Sequence, residues 1–428
     1  MRNIAFYIEN SDQKEIDSSH ILESNPGMGG TEYMIIIIAY LLSMRDNGLR
    51  ISIYGLNKLS GIGTLEFHVV ESLESAIVNA MTDGCECLIF KHHSSYINKG
   101  VFEKKNLFLK LIPWCHNIVY ETDLDYYAYT PSIYKIIYVS KEQLDLYRDH
   151  KSFYKSIYIY NCVNTHGVFQ RVCANPILNR KHVVTYMGSI IPVKGLHWLA
   201  EVWKDVLKEV PDAELYVIGS GKLYDNNQEL GPYNIAESSY ENKIMPYFSK
   251  NGMINSNIHF MGILGNEKTD ILLKTKVGVP NPSGRTETFC LSSVEMQLYG
   301  ASVVIGNSPG AVETTLEGRI CTHKSKLAKY IVAGLKKTEF DYDSTYNYIQ
   351  NKFSIESVIV EWENFFKAPQ YMVADIYRLK NITYRVKFLK EILRIIKKII
   401  PIFSKIPSVE RCLLYIERRI DLKEISTY

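Results

Sequence analysis

Two glutamates, Glu287 and Glu295, frame the stretch of this sequence that is richest in side chains able to do chemistry. The run Asn281-Pro282-Ser283-Gly284-Arg285-Thr286-Glu287-Thr288-Phe289-Cys290 leads into a helical pattern, Leu291 to Tyr299, that contains Glu295. An ionised carboxylate only accepts hydrogen bonds, and each can take bonds from two hydroxyls. Two of them about 12 Å apart along a helix could hold two parts of one extended ligand, such as a hexose and a ribose. The amides of Phe289 and Cys290 would then point at whatever lies between. The same spacing also suits Glu287 as a complement to the helix dipole and Glu295 as a solvated surface residue. Spacing alone favours the second reading.

A second segment, Gly188-Ser189-Ile190-Ile191-Pro192-Val193-Lys194-Gly195, follows a strand pattern and precedes a helix. Backbone amides at a helix N-terminus favour anions, and the helix dipole adds to this. A lysine there suits a diphosphate as a point charge, although many strand–loop–helix units carry a lysine with no such role. His116 stands just past a strand end. A lone histidine is usually structural, but that place makes it a candidate. Gly29 and Gly30 precede a helix from about Thr31 to Arg45 and would let the backbone approach a ligand closely. Asp123 and Asp125, one residue apart, imitate a metal-binding pair, but they lie in a Tyr-rich stretch and read as structural.

The elements that must position these residues alternate. Ile4–Ile8, Arg50–Tyr54, Cys87–Phe90, Leu109–Trp114, Ile136–Val139 and Tyr158–Val163 read as strands, and Ser140 reads as the N-cap of a helix through Leu144 and Tyr147. After a linker, Asn164 to Arg180, a second series begins. Val183–Met187, Leu215–Ile218, Ile258–Met261, Val277–Val279 and Ser302–Ile305 are its strands, and Leu196–Val210 is its first helix. Such alternation predicts parallel sheets covered by helices, with ligands outside the carboxyl ends of the strands. Two series of similar length predict two lobes around a deep cleft.

Bulk properties agree with a globular enzyme-sized chain. The 428 residues suit two domains with some left over, and 46% apolar with 22% charged content is ordinary. The net charge of +3 gives no reason to expect nucleic acid as a partner. The eight cysteines form no Cys-x-x-Cys pair or zinc spacing and fit a reducing cytoplasm. The N-terminus starts directly with a strand, unlike a signal peptide. The longest apolar run, Tyr33 to Leu42, is half of the roughly 20 residues that span a bilayer.

The two chemistry-bearing segments resemble the signature of the family four retaining glycosyltransferases. That family's phosphate loop reads Gly-Arg-x-x-x-x-Lys-Gly, and its second motif is two glutamates separated by seven residues. Pro282-Ser283, Thr286-Glu287-Thr288-Phe289 and Glu295 fit the second motif. Tyr216-Val217-Ile218-Gly219-Ser220-Gly221 and Val303 through Glu313 extend the likeness, which is strongest from about Val183 to Ala333. The first half carries it through Gly29-Gly30-Thr31-Glu32, Trp114-Cys115-His116-Asn117 and Tyr138-Val139-Ser140. The resemblance implies an α/β protein of the GT-B fold: two Rossmann-like domains with parallel sheets facing a cleft, plus a C-terminal helical tail. The expected parts are 1–172 on the acceptor side, 173–352 on the donor side, and 353–428 as crossover helix and tail.

The resemblance also implies roles. A nucleotide-diphosphate sugar, carrying UDP or GDP, is the expected donor, with no metal and no cofactor. Lys194 would stabilise the departing diphosphate, Glu287 would bind hydroxyls of the transferred sugar, and His116 would sit near the anomeric carbon; these three are the catalytic candidates. Glu295 would bind the ribose. Gly29, Gly30, Ser189, Phe289 and Cys290 would line the donor site. Two positions depart from the family. Ser189 replaces its arginine, for which Arg285 is the expected substitute, and Cys290 replaces a glycine. Both departures also fit a catalytically inert subunit that keeps the fold and supports an active partner.

The excess positive charge sits at the C-terminus: Gln370 to Tyr428 carries a net +7 and the rest a net −4. Ile355–Phe366, with Trp362, is the expected crossover helix. Beyond it Leu389, Ile392, Leu393, Ile396, Ile399, Ile400 and Phe403 share helical spacing, with Lys390, Arg394, Lys397 and Lys398 on other faces. A basic amphipathic helix of this kind can lie on an anionic membrane. It can equally pack its apolar face on the protein and leave its lysines in water. The membrane is the expectation here, through 385–406, since the family often builds surface glycans such as lipopolysaccharide on lipid-linked acceptors at the inner face of the membrane.

Overall fold

The computed structural model of the chain describes residues 2–11, 18–23, 25–26, 28–63, 65–98, 100–102, 108–223, 228–368, 383–400, 402–403 and 406–413. The first half forms a seven-stranded sheet of β1 (Arg2–Ile8), β2 (Leu49–Gly55), β3 (Glu66–Val69), β4 (Cys87–Lys91), β5 (Lys110–Cys115), β6 (Ile136–Tyr138) and β7 (Ser156–Tyr158). Its order is β3-β2-β1-β4-β5-β6-β7, and every pairing is parallel. The central strand β1 is a continuous apolar run, Ile4 to Ile8, buried throughout, as befits a strand covered on both faces.

The second half opens with β8 (Val183–Met187) and β9 (Glu214–Ile218), passes through a short hairpin of β10 (Ser249–Lys250) and β11 (Met253–Ile254), and continues with β12 (Ile258–Gly262), β13 (Val277–Gly278), β14 (Ser302–Gly306) and β15 (Gly318–Cys321). The larger sheet here has the order β12-β9-β8-β13-β14-β15, again all parallel. Helix Leu196–Glu209 covers it with Leu196, Leu199, Ala200, Trp203 and Val206, which fall on one face at helical spacing.

Several expectations differ in detail. Tyr158–Val163 is not a strand: β7 ends at Tyr158, and Val163 bridges instead to Ser354. The expected linker contains a helix, Val168–Ala174. Edge strands β3 and β15 are short and half polar, so no apolar run marks them in the sequence. The crossover helix does form, as Ile355–Lys367. Its Trp362 is fully buried against Phe6 and Trp114 of the first sheet, with ring centroids 5.9 and 4.8 Å away.

Polar contacts join the lobes at the strand ends. Ser140 caps helix Lys141–Leu146 by accepting from the Gln143 amide, and its hydroxyl donates to the Thr288 carbonyl at 2.7 Å. The Thr288 hydroxyl in turn donates to the His116 carbonyl at 2.5 Å. Deeper in the seam, Glu313 accepts from the Glu142 amide at 3.3 Å and from the Tyr160 hydroxyl at 3.1 Å. Burial, reinforced by the nearby Glu142 charge, pushes the Glu313 carboxyl up to about 7.

A carboxyl raised in the fold favours its neutral form. The stability it lends is therefore fully present below its ordinary value of 4.5 and is lost as the pH rises through about 7. Glu313→Gln keeps the shape without the charge. We expect it to melt above the parent at about pH 8 and level with it at about pH 4.5, by differential scanning calorimetry. An equal shift at both pH values would mean that the charge of Glu313 does not load the seam.

Candidate active site

The carboxyl ends of both sheets face each other across a cleft of about 790 Å³. Gly29, Gly30, His116, Ser189, Lys194, Glu287, Phe289, Cys290 and Glu295 all line it. The loop after β8 brings Lys194, and the loop after β13 brings Glu287. The Lys194 ammonium lies 2.8 Å from a Glu287 carboxylate oxygen, which also accepts from Asn281 Nδ2 at 2.9 Å. Both side chains are mostly shielded from water, so this pair is stronger than a surface one. Glu287 is not on the helix: the helix spans Leu291–Leu298 with Cys290 as its N-cap. The Phe289 and Cys290 amides donate to no described residue, and both residues line the cleft.

Glu295 has a partner that the sequence did not single out. Lys268 Nζ lies 2.7 Å from its Oε1, and both residues line the cleft. Lys268 opens the short helix Lys268–Leu272 that follows β12. Scanning each loop after a strand end for cations, rather than only the loops with a familiar motif, would have found it. A third pair, Lys91 with Glu32 at 2.7 Å, stands on the opposite wall. Lys91 ends β4, and Glu32 lies in the first turn of helix Gly30–Ser43.

Arg285 corrects an expectation. It is exposed and does not line the cleft. Gly284 and Thr286 on either side both adopt positive φ, 68° and 59°, and the tight turn carries Arg285 outward. It cannot replace the arginine missing at Ser189. Ser189 itself is buried, its hydroxyl 3.4 Å from the Ser220 carbonyl. The cations on the second-lobe wall are instead Lys194 and Lys268.

His116 rests on Trp114, with ring centroids 4.6 Å apart, and its Nε2 has no partner among the described residues. Burial, helped by the Lys91 charge, pushes its pKa down to about 3. The ring is therefore neutral at ordinary pH. It can exchange a hydrogen bond with a ligand but is no cation for a phosphate. A Cβ added to Gly30 would meet nothing within 4 Å, because the space beside it is open. Gly219, at φ 133°, is the opposite case: a Cβ there would sit 1.9 Å from the Gly188 carbonyl, so the β8 and β9 loops can only close with glycine at that point. Asp123 and Asp125 do not converge. Asp123 accepts from Ser94 at 2.5 Å, while Asp125 pairs with Lys151 at 2.8 Å.

With the fold and cleft described, the comparisons with known proteins define the class. Residues 181–337 match the family described as Glycosyl transferases group 1. That span contains every strand of the second sheet and both pairs, Lys194–Glu287 and Lys268–Glu295. The chain is similar in structure to a glycosyltransferase from Rickettsia africae ESF-5, with a TM-score of 0.61 and 12% identity over 86% of this chain and 99% of that one. It is similar to Anabaena HepE in complex with UDP-glucose, with a TM-score of 0.59 and 14% identity over 86% of this chain and 100% of that one. AviGT4, a glycosyltransferase involved in avilamycin A biosynthesis, gives 0.56 and 13% over 86% and 99%. No curated protein matches the chain. The fold is GT-B, and its second lobe carries the match to the Glycosyl transferases group 1 family.

Removing Lys268 would leave Glu295 shielded and unpaired. Lys268→Met should cost about 1–3 kcal/mol, and Lys268→Met with Glu295→Gln should recover most of that loss. Urea unfolding of both variants checks this. Additive losses would show that the pair contributes nothing to the cleft's rigidity.

Proposed function

We propose that this protein is a retaining glycosyltransferase that moves a hexose-type sugar from a nucleotide-diphosphate sugar to a hydroxyl of a glycan or lipid-linked acceptor. The observation that carries this reading is the Lys194–Glu287 pair at the mouth of a helix N-terminus. A lysine held there is a preplaced cation for a diphosphate leaving group. The carboxylate that holds it has further lone pairs for sugar hydroxyls. Glu295 lies deeper along the same helix, at a spacing that suits the ribose of one extended donor. The unpaired amides of Phe289 and Cys290 lie between.

In this reading the donor's diphosphate enters between the Lys194 and Lys268 ammonium groups and the open face of Gly29 and Gly30. Breaking the glycosidic bond puts charge on the departing phosphate, which Lys194 offsets. The transition state has oxocarbenium character. The acceptor hydroxyl attacks on the face the phosphate leaves, and that phosphate takes its proton. His116, neutral and unpaired at Nε2, donates or accepts a hydrogen bond at the transferred sugar. UDP is the favoured carrier, because the Anabaena protein of similar fold was crystallised with UDP-glucose. The acceptor belongs to bacterial surface polysaccharide synthesis, lipopolysaccharide included, on the cytoplasmic face of a membrane that the tail contacts. All eight cysteines are free, in keeping with that compartment. Among the described residues no helix is long and apolar enough to cross a membrane, so the contact is peripheral.

Ser189 keeps the inert-subunit reading alive, since it removes one cation from the diphosphate site. A thermal-shift panel with UDP-, GDP- and ADP-sugars and the free nucleotides separates the two. A ligand at about 100 times its Kd adds about 2.7 kcal/mol of stability. A shift with one base supports the donor site; none with any of them favours the inert subunit. With the active donor in hand, Lys194→Ala and Glu287→Ala should each lower kcat by about 100-fold or more while the protein stays folded. Full activity in either, at unchanged Tm, removes that residue from the mechanism.

A further inference from the structure

Helix Thr383–Ile399 lies on the protein with its charges inward. Lys387 and Lys390 are 4% and 3% exposed. Lys387 sits between Glu142 and Asp145, the latter at 2.9 Å. Lys390 reaches the Leu146 carbonyl at 2.8 Å and Glu410 at 2.9 Å. Further along, Arg148 meets Glu391 at 2.9 Å, and Lys397 meets Asp149 at 3.1 Å. Positions 387, 390, 394 and 397 form one face of the helix, and that face is spent on the first lobe.

The apolar residues therefore point away from the protein. Phe388, Ile392, Ile395 and Ile399 are 51, 39, 44 and 71% exposed, and Ile402 continues the row at 72%. A surface helix ordinarily hides its apolar stripe, and a contiguous exposed one marks an interaction site. The orientation is not interchangeable with its reverse. Turning the helix over would bury the isoleucines but leave Glu142 and Asp149 without the lysines that pair with them, at the cost of unpaired buried charges.

We propose that this outward face inserts into the surface of an anionic lipid bilayer. The face is a single convex row along one helix, which suits a planar apolar layer. Exposed Lys398, on the last turn of the helix, flanks the row and complements anionic headgroups. Contact is driven by the apolar row, since the lysines in the middle of the helix are already paired. This reverses the alternative in which the helix packs its apolar face on the protein with its lysines in water, and it deepens the membrane contact of the proposed function. It rests on that contact but not on the transfer reaction.

The test uses the full chain and sucrose-loaded vesicles of phosphatidylcholine, with and without about 30% phosphatidylglycerol, which contain no acceptor. We expect sedimentation with the anionic vesicles that falls no more than about threefold between about 0.1 and 0.5 M salt. Ile392→Asn with Ile395→Asn and Ile399→Asn should lose binding by about tenfold or more, at unchanged Tm and unchanged nucleotide-induced thermal shift. Lys398→Gln should weaken binding to the anionic vesicles by no more than about threefold, matching the effect of salt. Binding that vanishes at the higher salt and survives the isoleucine changes would overturn apolar insertion. So would a wild-type chain that ignores both vesicles, or one that is a dimer by light scattering and becomes a monomer in the isoleucine variant. The nucleotide shift, read on the same samples, reports separately on the cleft.

Discussion

A parallel strand delivers its carboxyl end to the same edge as all its neighbours, so the loops that follow converge whatever their sequence. In this chain two such sheets face each other edge to edge, and the chemistry collects between them. Lys194 follows β8, Lys268 follows β12, Glu287 follows β13, His116 follows β5 and Lys91 ends β4. None of these is near another in sequence across the lobes. Parallel pairing is what brings them together, and the hydrogen bonds from Ser140 to Thr288 and from Thr288 to His116 fix how the two edges meet.

Charge in the cleft is balanced locally. Three lysines face it, and each is held by one glutamate at 2.7 or 2.8 Å. Pairing holds each ammonium in place and aimed into the cleft. In the proposed reading, an arriving diphosphate exchanges partners with the lysines instead of meeting them bare, the released carboxylates turn to hydroxyls, and the group that orders the cleft is the group that reads the sugar. One consequence is that Ser189, without the arginine's charge, leaves a site that is weaker in cations but still balanced.

The fold was largely legible because it rests on local pattern. Apolar runs of strand length, separated by amphipathic helices, gave both sheets, and the family resemblance around Glu287 and Glu295, not their spacing alone, pointed to the cleft. What was not legible depended on partners far away in sequence. Lys268 matters only because Glu295 stands opposite, and the two meet through β12 and helix Leu291–Leu298. Arg285 was misplaced because two positive-φ residues flanking it reverse the chain, and Thr286 is no usual bearer of that conformation. In the tail, periodicity correctly separated an apolar face from a basic one. It could not say which faces inward, since that is decided by Glu142, Asp145 and Asp149 on another element.

Glu142 is where these arguments meet. Its side chain holds Lys387 of the C-terminal helix, and its amide donates to Glu313 of the second lobe. Burial would lower the Lys387 pKa, but Asp145 and Glu142 raise it on balance, so this buried lysine stays charged. Burial outweighs the pull of that cation and pushes the Glu142 carboxyl upward. A single short helix, Lys141–Leu146, therefore carries the seam between the lobes on its N-terminal side and the C-terminal helix along its acidic face. The outward apolar row and the cleft are referenced to the same rigid element. Whatever surface that row rests on, the cleft is presented to it at a fixed angle.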